Sequence, residues 1–214
     1  KYTQQKGFFP TMPGVTHVPY PNNYRPLFAG TDQGRAVLRY IEETLFVHNV
    51  PSHEVAAILV EPIQGEGGYI VPPDGFLAGL RELCDRHGIL LIFDEVQSGV
   101  GRAGKMFACE HWGVAPDIMT LAKGLGSGLP IGMMVAKRTI MQKWSRGAHG
   151  NTYGGNPLGA AVDQVDGHPV ASLEAWRGGQ IIDRLIVGTT KEHAEAALAV
   201  VCAPDSDEAE EGQP

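Results

Sequence analysis

Two short apolar runs flanking one amphipathic segment constrain this chain more than anything else in it. Val55-Ala-Ala-Ile-Leu-Val-Glu61 is apolar and ends on an acid, and Ile89-Leu-Leu-Ile-Phe93 repeats the pattern just before Asp94. Short runs without polar alternation read as strands buried on both faces, as in a parallel sheet. Between them, Asp74 is expected to cap a helix that carries Phe76, Leu77, Leu80, Leu83 and Cys84 on one face and stops at Gly88. Strand, helix and strand within residues 55–93 make a βαβ unit. The expected fold class is therefore α/β, with a mostly parallel sheet covered by helices. Asp117 to Leu121 and Ile131 to Ala136 are two further strand candidates. In open sheets of this kind ligands collect beyond the carboxyl ends of the strands, where Glu61, Asp94 and Lys123 all fall.

The rest of the chain divides around that unit. Residues 1–30 contain five prolines and scattered aromatics, and read as an extended entry segment. Thr31 or Asp32 is placed to cap a helix through about Val47, with Ala36, Leu38, Ile41 and Leu45 as its apolar positions. Residues 31–161 hold the core of the fold, 162–203 form a C-terminal segment of different character, and 204–214 an acidic tail. Five acids in that tail, with no base among them, account for most of the net charge of −7.

Several functions are excluded early. The acidic end reads as a solvated tail, and nothing else in the charge balance favours nucleic acid. No apolar run approaches the roughly 20 residues of a membrane-spanning helix, and the polar start lacks the apolar stretch of a signal peptide. Three widely spaced cysteines suit reduced thiols and a cytoplasmic setting. No histidine or cysteine spacing suggests a metal site.

Two motif matches mislead. Gly99-Val-Gly-Arg-Ala-Gly104 fits GxGxxG, and through Lys105 it also fits most of a P-loop. A P-loop needs Ser or Thr next for magnesium, and residue 106 is Met. A dinucleotide turn follows its strand directly, whereas Asp94-Glu-Val-Gln97 intervenes here. Glu61 and Glu66 on a glycine-rich turn could be a glycosidase pair by residue type, but spacing alone does not fix a carboxyl separation.

Lys123 fits a chemistry better. It sits in Thr120-Leu-Ala-Lys-Gly-Leu-Gly-Ser-Gly128, a glycine-dense loop between two apolar strand candidates. A lysine able to form a Schiff base, with an aspartate at a strand end, is what pyridoxal phosphate chemistry requires. Asp94 beside a pyridinium nitrogen would keep it protonated, since a close opposite charge favours the charged form. Gln97 could hydrogen-bond the ring's phenolic oxygen. Gly150-Asn-Thr-Tyr-Gly-Gly-Asn-Pro-Leu158 is a small polar loop suited to phosphate, with Thr152 as hydroxyl donor.

Taken together, Val18–Pro21, Glu61–Gly68, Gly75–Gly88, Phe93–Gly113, Pro116–Gly132 and Gly150–Leu158 resemble class III, ω-amino-acid-type aminotransferases, most of all those acting on 4-aminobutyrate. The resemblance covers roughly residues 7 to 161 and implies the central part of the large domain of a fold-type I pyridoxal phosphate enzyme. It implies Lys123 as the Schiff-base lysine, Asp94 as the pyridinium contact and Gln97 as the contact to the phenolic oxygen. Val96 would pack on the ring, and Glu61 would lie near the cofactor. Thr152 would bind phosphate across a homodimer interface. Glu66 would be the acid that pairs with a distal arginine when substrates alternate. The partners implied are a small amine donor and a 2-oxo acid acceptor, with transamination as the reaction.

Family members are longer, and they carry a phosphate turn and a stacking aromatic upstream of the matching region. Downstream they carry a small domain with a carboxylate-binding arginine. After Ala161 the likeness stops. The expectation is therefore a piece of a longer enzyme, from a truncated or frame-disrupted gene that flanking genomic sequence would test. The alternatives are a non-catalytic remnant or another class III reaction, such as an aminomutase or decarboxylase.

Overall fold

A computed structural model describes residues 5–129 and 131–145. The first helix starts where expected. Asp32 is its N-cap and accepts the Arg35 N–H at 2.9 Å. The helix runs as α1 (Gln33–Arg39), widens into a π-turn over Tyr40–Leu45, and ends in an α-turn at Phe46–His48. Its buried apolar positions are Ala36, Val37, Ile41 and Leu45, with Leu38 only half-buried.

The βαβ unit is present. β1 (Ala57–Val60) leads through α2 (Phe76–His87) to β2 (Leu90–Asp94), and β1 and β2 pair in parallel with Ala57 opposite Leu90. β3 (Ile118–Leu121) adds in parallel to β2, with Asp94 opposite Thr120. β4 (Met133–Ala136) closes the sheet antiparallel to β3, and a short helix α3 (Arg138–Met141) follows. Strand order in the sheet equals chain order. Only residues 122–132 join β3 to β4, which is too short for the helical crossover that a parallel return needs.

The start of α2 corrects one expectation. Gly75, not Asp74, is the N-cap, at φ 78°, with no side-chain cap bond. That left-handed turn is open to glycine at little cost. Gly88 ends the helix as expected, at φ 66°. All five expected core residues of α2 are buried, and burying each of Leu77, Leu80 and Leu83 contributes on the order of 1.5–3 kcal/mol.

Burial of both sheet faces is the other expectation that needs revision. Leu91, Phe93, Met119 and Leu121 pack with Val37, Ile41 and the α2 residues into one core. The opposite face carries Ala57, Leu59, Leu90, Ile92, Ile118 and Met134. Leu59 is 64% exposed and Met134 38% exposed. Among the described residues both α1 and α2 lie on the same face, so a strand that is apolar throughout is covered on one side only.

The amino edge of the sheet is held by Asp117. Its carboxylate accepts from the Leu91 N–H at 2.7 Å, Arg81 at 2.8 Å and Lys137 at 3.1 Å. Burial alone would push its pKa up. The hydrogen bonds from Leu91, Arg81 and Lys137 outweigh burial and hold it below the ordinary value. At the other end of the unit, a buried Gln33 organises the entry segment. Its amide oxygen accepts from the N–H groups of Leu27 and Phe28, and its nitrogen donates to the carbonyls of Phe28 and Gly30.

Candidate active site

Three strands deliver their carboxyl ends to one edge, and the expected residues arrive with them. Glu61 follows β1 directly, Asp94 is the last residue of β2, and Lys123 lies two residues beyond β3. Lys123 opens a 3₁₀ turn, Lys123–Gly126, with its own backbone at φ 47°. A non-glycine residue in that left-handed region costs on the order of 1–3 kcal/mol, and such strain is concentrated at functional sites. The side chain is exposed, and its Nζ donates to Oε1 of Gln97.

That contact also fixes the Gln97 amide. An ammonium carries donors only, so the amide must offer it oxygen. Its nitrogen then faces the Tyr69 hydroxyl, at 3.4 Å. Tyr69 itself has φ 55° and is 71% exposed. Gln97 is packed from below by the loop after β1. A Cβ added at Gly65 would sit 2.6 Å from Gln97 Cγ, so only glycine fits there. The Gly65 N–H donates to Oε2 of Glu61 at 2.8 Å, which turns that carboxylate back into its own loop.

Asp94 is half-buried on the open face of the sheet. Its Oδ1 accepts from the Val96 N–H at 3.0 Å and from the Thr120 hydroxyl at 3.4 Å. Val96 is half-buried in the turn that follows. Glu66 is exposed on the glycine-rich loop. Thr152 and its loop lie outside the described residues. Lys123, Gln97, Glu61 and Asp94 are thus brought to one edge of the sheet.

Residues that the sequence reading passed over also meet here. Thr120 was hidden in a strand candidate, although its register opposite Asp94 follows once parallel pairing is assumed. Tyr20 donates to the backbone carbonyls of Glu61 and Pro62, both at 3.2 Å, and ties the entry segment to the Glu61 loop. Burial, with the Glu61 charge nearby, pushes its hydroxyl pKa up, although a hydrogen bond to the Gln64 backbone opposes the rise. The Gly99–Gly104 stretch serves the lysine loop. Val100, at φ 54°, lies so close that a Cβ on Gly124 would meet its Cβ at 3.3 Å. Among the described residues no group of three metal-ligating side chains exists, and no helix is long and apolar enough to cross a membrane.

The class III aminotransferase family model matches residues 1–165. The chain belongs to the class III aminotransferases. It is 47% identical over 155 residues to an acetylornithine aminotransferase of Methanopyrus kandleri, covering 72% of this chain and 34% of that protein. A succinylornithine transaminase/acetylornithine aminotransferase of Pseudomonas aeruginosa is 46% identical over 177 residues, covering 83% and 37%. Among solved structures, a thermostable (S)-enantioselective ω-transaminase from Thermomicrobium roseum superposes with TM-score 0.68 at 37% identity, over 76% of this chain and 37% of that one. An amine transaminase from an uncultivated Pseudomonas species, solved in its pyridoxal-phosphate-bound form, gives TM-score 0.68 at 35% identity, over 75% and 38%.

The chain spans about a third of the length of the curated relatives it matches. Fold class is settled by this likeness as α/β, the large-domain type of pyridoxal phosphate transaminases. Pyridoxal phosphate is the cofactor of the family, and the described donor set fits it. Its aldehyde, ring nitrogen and phenolic oxygen call for an amine, a carboxylate and a hydrogen-bonding group, and this edge offers an exposed amine, a half-buried strand-end carboxylate and an amide. The two curated relatives carry acylated ornithines in their names, where the resemblance in the sequence points to 4-aminobutyrate.

Proposed function

We propose that this chain carries the cofactor-binding edge of a transaminase that moves a terminal amine from an ω-amino acid to a 2-oxo acid. The observation that carries the reading is the meeting of Lys123, Gln97 and Asp94 at one sheet edge, in a chain of this family. Pyridoxal phosphate, when bound, supplies an electron-withdrawing ring that stabilises negative charge on the substrate carbon. Lys123 would hold the cofactor through its Nζ, and the same amine would take and return the proton at that carbon as general acid–base. Asp94 keeps the ring nitrogen protonated. Gln97 orients the phenolic oxygen, and Val96 packs on the ring. Glu61 lies beside the cofactor and stiffens its own loop, and Glu66 faces the substrate. Thr152 is assigned to the phosphate, across a homodimer interface.

The substrate class follows from what the two candidate donors share. 4-Aminobutyrate and an N-acylornithine both present a primary amine at one end of a carbon chain and a carboxylate at the other. The naming of the relatives favours the acylornithine. Free thiols at Cys84 and Cys109 suit a reducing, cytoplasmic setting.

Reductive trapping tests the reading. The chain is incubated with pyridoxal phosphate, reduced with borohydride and mapped by mass spectrometry. Label at Lys123 that is lost in Lys123→Ala is the expected result, and label spread over all exposed lysines would refute the assignment. N-acetylornithine and 4-aminobutyrate, each with 2-oxoglutarate, then compare the two donors. Turnover faster with 4-aminobutyrate would restore the narrower expectation. Trapping without turnover by either donor would leave the chain a cofactor-holding part with no catalysis of its own.

A further inference from the structure

We propose that Glu95, the acid next to Asp94, is a positioning residue that fixes the turn Asp94–Gly99 through buried hydrogen bonds and touches no ligand itself. The proposal rests on the cofactor assignment above. Two acids stand side by side in the sequence, and the structure gives them opposite environments. Glu95 is 0% exposed, whereas Asp94 is half-buried on the open face.

Every polar atom of Glu95 has a partner. Its Oε1 accepts from the Cys109 N–H at 2.8 Å, and its Oε2 accepts from the Ser98 hydroxyl. Its own N–H donates to the Thr120 carbonyl at 3.0 Å, and its carbonyl accepts from the Gly99 N–H at 2.8 Å. One residue thereby joins β3, the 3₁₀ turn Ala108–His111 and the far end of its own turn. The turn closes tightly over it. A Cβ on Gly99 would lie 2.7 Å from the Glu95 carbonyl oxygen.

The consequence reaches the cofactor edge through strand geometry. Successive side chains of an extended strand point to opposite faces. Phe93 and Glu95 are both fully buried, so Asp94 between them is turned to the open face. Val96 and Gln97 come next in the same turn, and Gln97 reaches Lys123. A fully buried carboxyl group is tolerated only because it is fully hydrogen-bonded. What it provides is a single geometry for the three residues around it.

The test combines two readouts on the whole chain, in Glu95→Ala, Glu95→Gln and Ser98→Ala. The first is amide exchange at Val96–Gly99 and Cys109. The second is the ratio of pyridoxal phosphate trapped at Lys123 to that trapped at Lys137, which lies at the opposite edge. Glu95→Ala is expected to speed exchange by about tenfold or more at Cys109, whose N–H loses its acceptor, and across Val96–Gly99, whose turn loses the Ser98 and Cys109 ties. It is also expected to lower the Lys123 to Lys137 ratio. Glu95→Gln should retain both, since its oxygen still accepts from Cys109 and its nitrogen can donate to the Ser98 hydroxyl oxygen. Ser98→Ala should speed exchange within Val96–Gly99 by a smaller factor.

A folded Glu95→Ala with unchanged exchange in the turn would overturn the proposal, as would Glu95→Gln behaving like Glu95→Ala. Should Glu95→Ala not fold, Ser98→Ala decides. Exchange within Val96–Gly99 at the wild-type rate would then overturn it. A wild-type chain that shows no trapping at Lys123 would refute the cofactor assignment instead, and the exchange results would still judge the hold of Glu95 on its turn.

Discussion

The two edges of one small sheet treat charge in opposite ways. At the amino edge Asp117 is buried and accepts from two cations and a backbone N–H. At the carboxyl edge, among the described residues, Asp94, Glu61 and Lys123 hydrogen-bond only neutral groups: backbone N–H groups, a threonine hydroxyl and one amide. A buried carboxylate matched by two cations and a backbone N–H holds structure together and is itself spent on those partners. An exposed amine and a half-buried carboxylate held by neutral groups keep their charge available. Stability should therefore concentrate at one edge and cofactor chemistry at the other.

The largest effect is expected from Asp117→Ala. It strips the acceptor from Arg81, Lys137 and the Leu91 N–H together, and removing one partner of a buried ion pair costs about 3 kcal/mol. Urea melts of the two chains would check it. A loss below about 0.5 kcal/mol would mean that the amino edge is no more structural than the carboxyl edge. Pyridoxal phosphate trapping at Lys123 should survive in Asp117→Ala at temperatures where the variant remains folded.

Acid should probe the same edge more gently. The folded pKa of Asp117 is depressed below its ordinary 3.8. Its contribution is therefore fully present above the unfolded pKa and is lost as pH falls through the folded one. Urea stability measured from pH 6 downward should fall in that acid range, and the fall should be shallower in Asp117→Asn. Equal slopes in the two chains would remove Asp117 as the source.

The smallest stability effects belong to the carboxyl edge. Lys123→Ala and Asp94→Asn should each change stability by no more than about 0.5 kcal/mol, as expected of exposed or weakly bonded side chains. Lys123→Ala relieves none of the backbone strain at φ 47°, whereas Lys123→Gly should, and is expected to be more stable than Lys123→Ala by up to about 1 kcal/mol. Thermal denaturation of the pair would decide it, and equal midpoints would show that the turn carries no strain.

Much of the frame was legible in residue order. The apolar runs, the amphipathic face of α2 and its stop at Gly88 follow from periodicity and from glycine's tolerance of φ 66°. Asp32 as a cap follows from its short acceptor side chain. The start of α2 was misread because Asp74 has the right chemistry for a cap, whereas the chain turns one residue later, at a glycine whose backbone freedom replaces the cap bond. Which strand face is covered among the described residues is likewise a tertiary matter. Apolar residues show that a face seeks cover, but only the placement of α1 and α2 says which face has it.

The same division runs through the candidate site. Sequence alone determined the chemistry on offer: an amine in a glycine-dense loop, an acid at a strand's end, an amide three residues on, and membership of a family that uses them together. These are matters of residue type and spacing, which a chain carries without folding. Tertiary structure alone decided which of two neighbouring acids faces outward, that Gln97 turns its oxygen to Lys123 and its nitrogen to Tyr69, and that Thr120 stands beside Asp94. Those facts depend on parallel register and on the pinning of a turn by a buried carboxyl group. Both arise from contacts between residues far apart in the chain, so no local pattern encodes them.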